Sequence, residues 1–174
     1  MRIAFNLKAM YISTVLREAT FDSSFWVHVA YMDLVAFLLE DYHLRCPSAV
    51  EDEFSRKNPT GLLLKTLLSE GRILRLEPEK ETLKLYGNGE RAAINLAIER
   101  KLLLCIDDWR PSEAAQGAGV ETLSSVAFLI KLYRKDRLPI ERVLAELARM
   151  SRRGTLRAEW IHAAMRLAAE IKQE

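Results

Sequence analysis

Cysteine and histidine are scarce in this chain of 174 residues, with two of the first and three of the second, and no stretch of eighteen residues runs without a charge. Cys46 and Cys105 lie in or beside strand-like apolar runs and offer no zinc-ligand spacing, so they read as buried reduced thiols of an intracellular protein. His28, His43 and His162 are scattered; none has the spacing of a metal-binding helix or a nucleophilic triad, and each is assigned to core or surface. Without a long apolar run there is no transmembrane helix, and the fairly apolar opening, broken by Asn6 and Lys8, makes no signal peptide. The expected compartment is the cytoplasm, with no membrane partner. Internal repeats and low-complexity segments are also missing.

What remains is ordinary soluble composition, 49% hydrophobic and 29% charged, enough for one domain with a sizeable core and incompatible with a disordered or fibrous chain. The net charge of +2 is unevenly divided: residues 1–130 carry 15 Lys+Arg against 18 Asp+Glu, and residues 131–174 carry 11 against 6. The basic surplus is thus confined to the last quarter.

The most informative stretch is Gly87 to Asp108, GNGERAAINLAIERKLLLCIDD. Ala93, Ile94, Ala97 and Ile98 form the apolar face of a helix opposite Arg91, Asn95 and Glu99, which puts Glu90 on the buried side of its first turn. Leu102 to Ile106 is a continuous apolar run of strand length that ends abruptly in Asp107-Asp108, the pattern of a strand covered on both faces. In an α/β layer a helix begins and a strand ends near one edge of the sheet, so Glu90 and Asp107 are predicted to converge. Gly87-Asn88-Gly89 is read as a plain turn before the helix, in preference to a phosphate loop.

Elsewhere the chain alternates in the same way. Residues 15–21 read as a first strand running into Asp22-Ser23-Ser24, residues suited to a helix start; residues 25–42 as one broken or two consecutive helices; and His43 to Cys46 as a short strand. Pro47 opens the next helix, whose apolar face takes in Glu53. SRKNPT (55–60) reads as a loop, followed by a helix over 61–70 and a strand over 73–76. A helix from Pro111 to Gly117, a strand from Val120 to Leu123 and a helix from Ser124 to Tyr133 complete a βα alternation, which predicts a parallel sheet. The last third is purely helical, broken at Gly154. Residues 1–14 are set apart as an N-terminal appendage of unknown role, and residues 15–174 as a single domain.

Asp22, Glu90, and Asp107 or Asp108 therefore gather at one edge, with Glu53 as a candidate fourth acid. Carboxylates packed in a partly dry pocket repel one another unless a cation neutralises them, and all-oxygen donors suit Mg²⁺ or Mn²⁺. Taken singly each acid has a plainer role: Glu90 as partner of a helix dipole, Asp22 as an N-cap, Asp108 as cap of the following helix.

The motifs AT-FDSS-FW, PSAV-EDEF, GNGERAAINLA and LLLCIDD, in that order over roughly Ala19 to Arg134, resemble the PIN-domain ribonucleases. The resemblance implies a three-layer α/β/α sandwich with a central, mainly parallel sheet of about five strands and a helical C-terminal end. It further implies a hydrolase that cuts RNA with one or two divalent metals, and in many bacterial members a toxin restrained by a cognate antitoxin; homodimers through helical surfaces are frequent. Matched motif by motif, Asp22, Glu53, Glu90 and Asp107 are the four acids, with Asp108 competing for the last place and Asp22, Glu90, Asp107 and Asp108 as metal ligands. Ser23 or Ser24 matches the small hydroxyl that supports the site. Ile106 and Trp109, on either side of the last acids, depart from the usual pattern. Trp109 beside them, and Lys135 and Arg137 in the basic region, are the expected RNA contacts. A catalytically silent PIN-like module that binds RNA or protein is the alternative.

Overall fold

In the computed structural model of the chain the described residues are 16–55, 57–84 and 86–171. The appendage expected over residues 1–14 lies outside them. The elements run β1 (Arg17–Phe21), α1 (Ser23–Tyr31), α2 (Val35–Asp41), β2 (Tyr42–Cys46), α3 (Ser48–Asp52), α4 (Pro59–Ser69), β3 (Leu74–Arg75), α5 (Asn88–Arg100), β4 (Leu103–Cys105), α6 (Trp109–Gly117), β5 (Thr122–Leu123), α7 (Ser125–Arg134), α8 (Ile140–Arg153) and α9 (Ala158–Ile171).

All strand pairings are parallel and the order is β3-β2-β1-β4-β5. The chain moves outward from β1 through β2 to β3, then returns to the other side of β1 with β4 and β5. Helices α1, α4 and α7 pack together on one side of the sheet, while α5 lies against β1 and β4 and packs on α6 and, at the carboxyl edge, on α3, which gives the three layers. After β5, α7 packs on α1, and α8 and α9 pack on α7 as the helical C-terminal end. No described helix is long and apolar enough to cross a membrane.

The central strands are apolar on both sides because both sides are covered: Ala19 and Phe21 of β1 and Leu103, Leu104 and Cys105 of β4 are all buried. Phe21 stacks on Trp26 of α1 with ring centroids 5.3 Å apart, so the end of β1 is packed against the start of the helix that follows it. Each such large side chain contributes about 1.5–3 kcal/mol by leaving water. Gly154 ends α8 in the left-handed region, at a φ of 67°, where a residue without Cβ is strain-free.

Two helices begin earlier than the spacing predicts, both because of proline. Asn58 caps α4 by accepting from Thr60 N at 3.0 Å, and Pro59 occupies the first turn; the Asn-Pro pair is a helix start, not a loop. Helix α6 likewise starts at Trp109, with Pro111 inside the first turn, where a missing N–H costs no helical hydrogen bond. Pro47 stands just before α3, at its N-cap. The outer strands β3 and β5 are two residues each, shorter than their apolar runs, since an edge strand pairs on one side only.

Candidate metal centre

Strands β1 and β4 are neighbours, with Phe21 level with Cys105, and the sheet order reverses between them. A crevice therefore opens beyond their carboxyl ends, and the residues that leave these two strands line it. Asp22 N donates to Cys105 O at 3.1 Å, which holds the two strand ends together at this point.

Asp22 is the N-cap of α1 and fully buried. Its Oδ1 accepts from Phe25 N at 2.9 Å and its Oδ2 from the Ser24 hydroxyl at 2.6 Å, so the carboxylate is fixed in orientation. Ser24 Oγ also lies 3.3 Å from Asp108 Oδ2, which places the hydroxyl between two acids. Ser23 opens α1 half-buried and makes no side-chain hydrogen bond among the described residues.

Glu90 stands in the first turn of α5, half-buried, with Gly87 N donating to it at 3.4 Å. Asp108 occupies the N-cap position of α6, yet its side chain makes no capping bond and turns to the Ser24 hydroxyl instead. One carboxylate oxygen each from Asp22, Glu90 and Asp108 lies within 4.8 Å of the others. Burial, above all, pushes the Asp22 carboxyl well above its usual range, with Asp107 and Asp108 adding to the effect. Glu90 is pushed up to about 7, first by burial and then by Asp108 beside it.

Glu53 follows α3 directly and is more exposed than a place on the apolar face implies. Its Oε1 accepts from Gly89 N at 2.9 Å, capping the N-terminus of α5 one residue before Glu90. A Cβ at position 89 would fall 2.5 Å from the Glu53 carboxyl carbon, so only glycine allows this approach. Glu53 thus braces the turn that carries Glu90.

Asp107 is buried and has other partners. Its Oδ1 accepts from Ser125 N at 2.7 Å, and its Oδ2 lies 2.6 Å from His28 Nδ1. A carboxylate only accepts, so Nδ1 donates to Asp107, and Nε2 shares a hydrogen bond with the Thr155 hydroxyl at 2.9 Å. The chain Asp107–His28–Thr155 fastens the α8–α9 turn to the end of β4. His28 and Thr155 are absent from the sequence-based site. The one signal for His28 is a polar side chain on the helix face that also carries the buried Phe25 and Val29.

The acids open into a cleft of about 560 Å³ whose walls include Glu90, Asp108, Trp109, Arg110 and Arg157. Trp109 lies in this cleft. Lys135 instead lines a groove between α7 and α9, and Arg137 pairs with Glu40 and Asp41 while its guanidinium sits 4.8 Å over the Phe37 ring. Neither basic residue borders the acidic cleft.

The donor set fits a hard divalent cation. It offers three carboxylate oxygens and no nitrogen or sulfur, the donor type that suits a cation of charge two. The raised affinity of Asp22 and Glu90 for protons is the same fact seen without the cation.

A family model described as a PIN domain matches residues 18–170. No curated protein matches the chain.

Proposed function

The chain belongs to the PIN-domain family, whose members are generally nucleases, and on that premise we propose that it is a divalent-metal-dependent endoribonuclease, the toxin of a toxin–antitoxin pair. The observation that carries the reading is the convergence of Asp22, Glu90 and Asp108, from three separate elements, on one point at the switch in strand order. Those three carboxylates are the residues that would hold Mg²⁺ or Mn²⁺. When bound, such an ion acts as a Lewis acid on phosphoryl oxygens and lowers the pKa of water.

The protein supplies orientation. Asp22 is locked by two hydrogen bonds, and Ser24 has one proton to share between Asp22 and Asp108. Glu53 braces Glu90 through the start of α5. Asp107 is given a positioning role here, because both of its oxygens are engaged away from the three-acid cluster. Arg110 and Arg157 line the same cleft as the acids and bring positive charge to it.

Purified protein incubated with RNA and Mn²⁺, beside Asp22→Asn and Asp108→Asn variants, tests the reading. Cleavage lost in both variants supports it, and equal cleavage by all three marks a contaminant. Titration calorimetry separates the alternative: a folded protein that takes up neither Mn²⁺ nor Mg²⁺ is the silent binding module. The toxin role draws on family resemblance, and its own test is whether a small adjacent reading frame encodes a protein that abolishes the cleavage.

A further inference from the structure

The cleft beside the acids also carries Arg110, Arg157 and one exposed aromatic side chain, Trp109. Trp109, the first residue of α6, is 44% exposed, unusual for a tryptophan that follows directly on a metal-site acid. Its ring is held from the side by Trp160 of α9, edge to face, with centroids 5.9 Å apart. The Arg157 guanidinium lies 5.4 Å from the centroid of the same indole. Both partners come from the α8–α9 region, and the turn before Arg157 is tied down through Thr155 to His28 and Asp107. Tyr86, also in the cleft wall, donates to Arg110 O at 3.4 Å, with its own backbone at a φ of 76°, a conformation that a bulky residue adopts only when its surroundings impose it.

We propose that the Trp109 indole and the Arg157 guanidinium form a subsite for the base of an unpaired nucleotide next to the phosphate held at the acids. The inference rests on the nuclease reading and adds to it what selects the substrate. The base, planar and uncharged, stacks on Trp109, and Arg157 moves off the indole to cover the outer face of the base. Such stacking is indifferent to sequence because every base has a flat face. It requires that the face be free, which a paired and stacked duplex does not offer. The cleft volume of about 560 Å³ takes a single nucleotide, and Glu90, Asp108 and Arg110 are all among its walls. The bracing by Trp160 and by the Thr155–His28–Asp107 chain means that the aromatic platform is already formed before RNA arrives.

The test is binding, read separately from cleavage. Fluorescence anisotropy of a labelled hexaribonucleotide, unpaired or annealed to its complement, is measured with the full chain in EDTA. Trp109→Ala is expected to weaken the unpaired ligand about tenfold or more, Arg157→Ala less, and Trp109→Phe by no more than about threefold, with duplex binding unchanged in all. Equal binding by the wild type and Trp109→Ala, or equal loss for unpaired and duplex ligands, overturns the proposal. If Trp109→Ala melts early through loss of its contact with Trp160, the Trp160→Phe variant gives the same answer: adenosine monophosphate quenches its remaining exposed tryptophan, and no quenching counts against the subsite. RNA that is bound through Trp109 but never cut would remove the nuclease reading and leave the subsite, whereas RNA cut as well by Trp109→Ala would do the opposite.

Discussion

Asp107 and Asp108 are consecutive residues in the link between β4 and α6, and their carboxylates serve different structures. Asp107 holds Ser125 N at 2.7 Å and His28 Nδ1 at 2.6 Å, whereas Asp108 Oδ2 lies 3.3 Å from Ser24 Oγ in the cluster with Asp22 and Glu90. Asparagine at each position separates the two roles. At 107 it can accept at one atom only and turns its amide donor toward a second donor, a mismatch of about 1–3 kcal/mol in a buried place. Thermal melts of Asp107→Asn should fall by about 2–4 °C for each kcal/mol lost. Asp108→Asn removes a like charge from beside Asp22 and Glu90, so its metal-free melting temperature should equal or exceed that of the wild type, while the rise on adding Mn²⁺ disappears. Reversal of the two patterns would exchange the assignments.

The pH dependence of the metal-free protein follows from Glu90. Its carboxyl titrates near 4.5 when the chain is unfolded and is pushed up to about 7 in the fold, so between those values the folded state holds more protons. Stability contributed by the protonated group is therefore complete below about 4.5 and declines as pH rises through about 7. Asp22, raised in the same direction, adds to the slope. Added Mn²⁺ competes with those protons, so its stabilising effect should be small at pH 5.5 and large at pH 8. Thermal melts with and without Mn²⁺ at the two pH values check this; a metal effect independent of pH would mean that these acids are not the ligands.

Glycine 89 tests the brace under Glu90. In an ordinary helix position Gly→Ala stabilises by about 0.5–1 kcal/mol, but here the new methyl group meets the Glu53 carboxyl. Gly89→Ala should instead push the exposed Glu53 carboxyl aside and lose its hydrogen bond to the start of α5, a cost of about 0.5–1.5 kcal/mol that cancels the usual gain. In a Glu53→Ala background, where clash and hydrogen bond are both gone, Gly89→Ala should recover its ordinary stabilisation. Denaturant midpoints of the four proteins in the cycle give the coupling, which should be well above the few tenths of a kcal/mol of independent sites.

Periodicity and element order were sufficient to place Asp22 at the end of a strand and Glu90 at the start of a helix, because both positions are set by local pattern and the edge follows from parallel topology. The division between Asp107 and Asp108 was not legible. Both acids follow the strand, and which one joins Asp22 and Glu90 depends on His28, 79 residues away, and on Ser125 at the start of α7. Charge counting marked Arg137 as an RNA contact, yet Glu40 and Asp41 meet it across the fold, and pairing over such separation leaves no trace in local composition. Pro59 and Pro111 show a narrower failure: proline signals a break everywhere except the first helical turn, and both occupy that turn.

His28 also sets how the C-terminal helices bear on the site. Its ring joins Asp107 to Thr155, two groups otherwise connected only through the packing of α7, α8 and α9. Replacing His28 by alanine leaves a buried carboxylate with Ser125 N alone and opens a gap in the core, and both effects destabilise the whole domain. Thr155→Val is the finer probe, because it removes one hydroxyl at a residue that is itself exposed and keeps the shape of the side chain. Global stability should then drop by no more than about 0.5–1.5 kcal/mol, the worth of one hydrogen bond. Amide exchange should quicken selectively around Gly154, Leu156 and Arg157, since a turn released from its tether opens without unfolding the sheet. In the nuclease reading the same variant weakens RNA binding more than it slows cleavage of bound RNA, because Arg157 loses its position while Asp22, Glu90 and Asp108 keep theirs. Unchanged exchange at the turn in Thr155→Val would show that helix packing alone holds it, and the hydroxyl would then have no part in shaping the cleft.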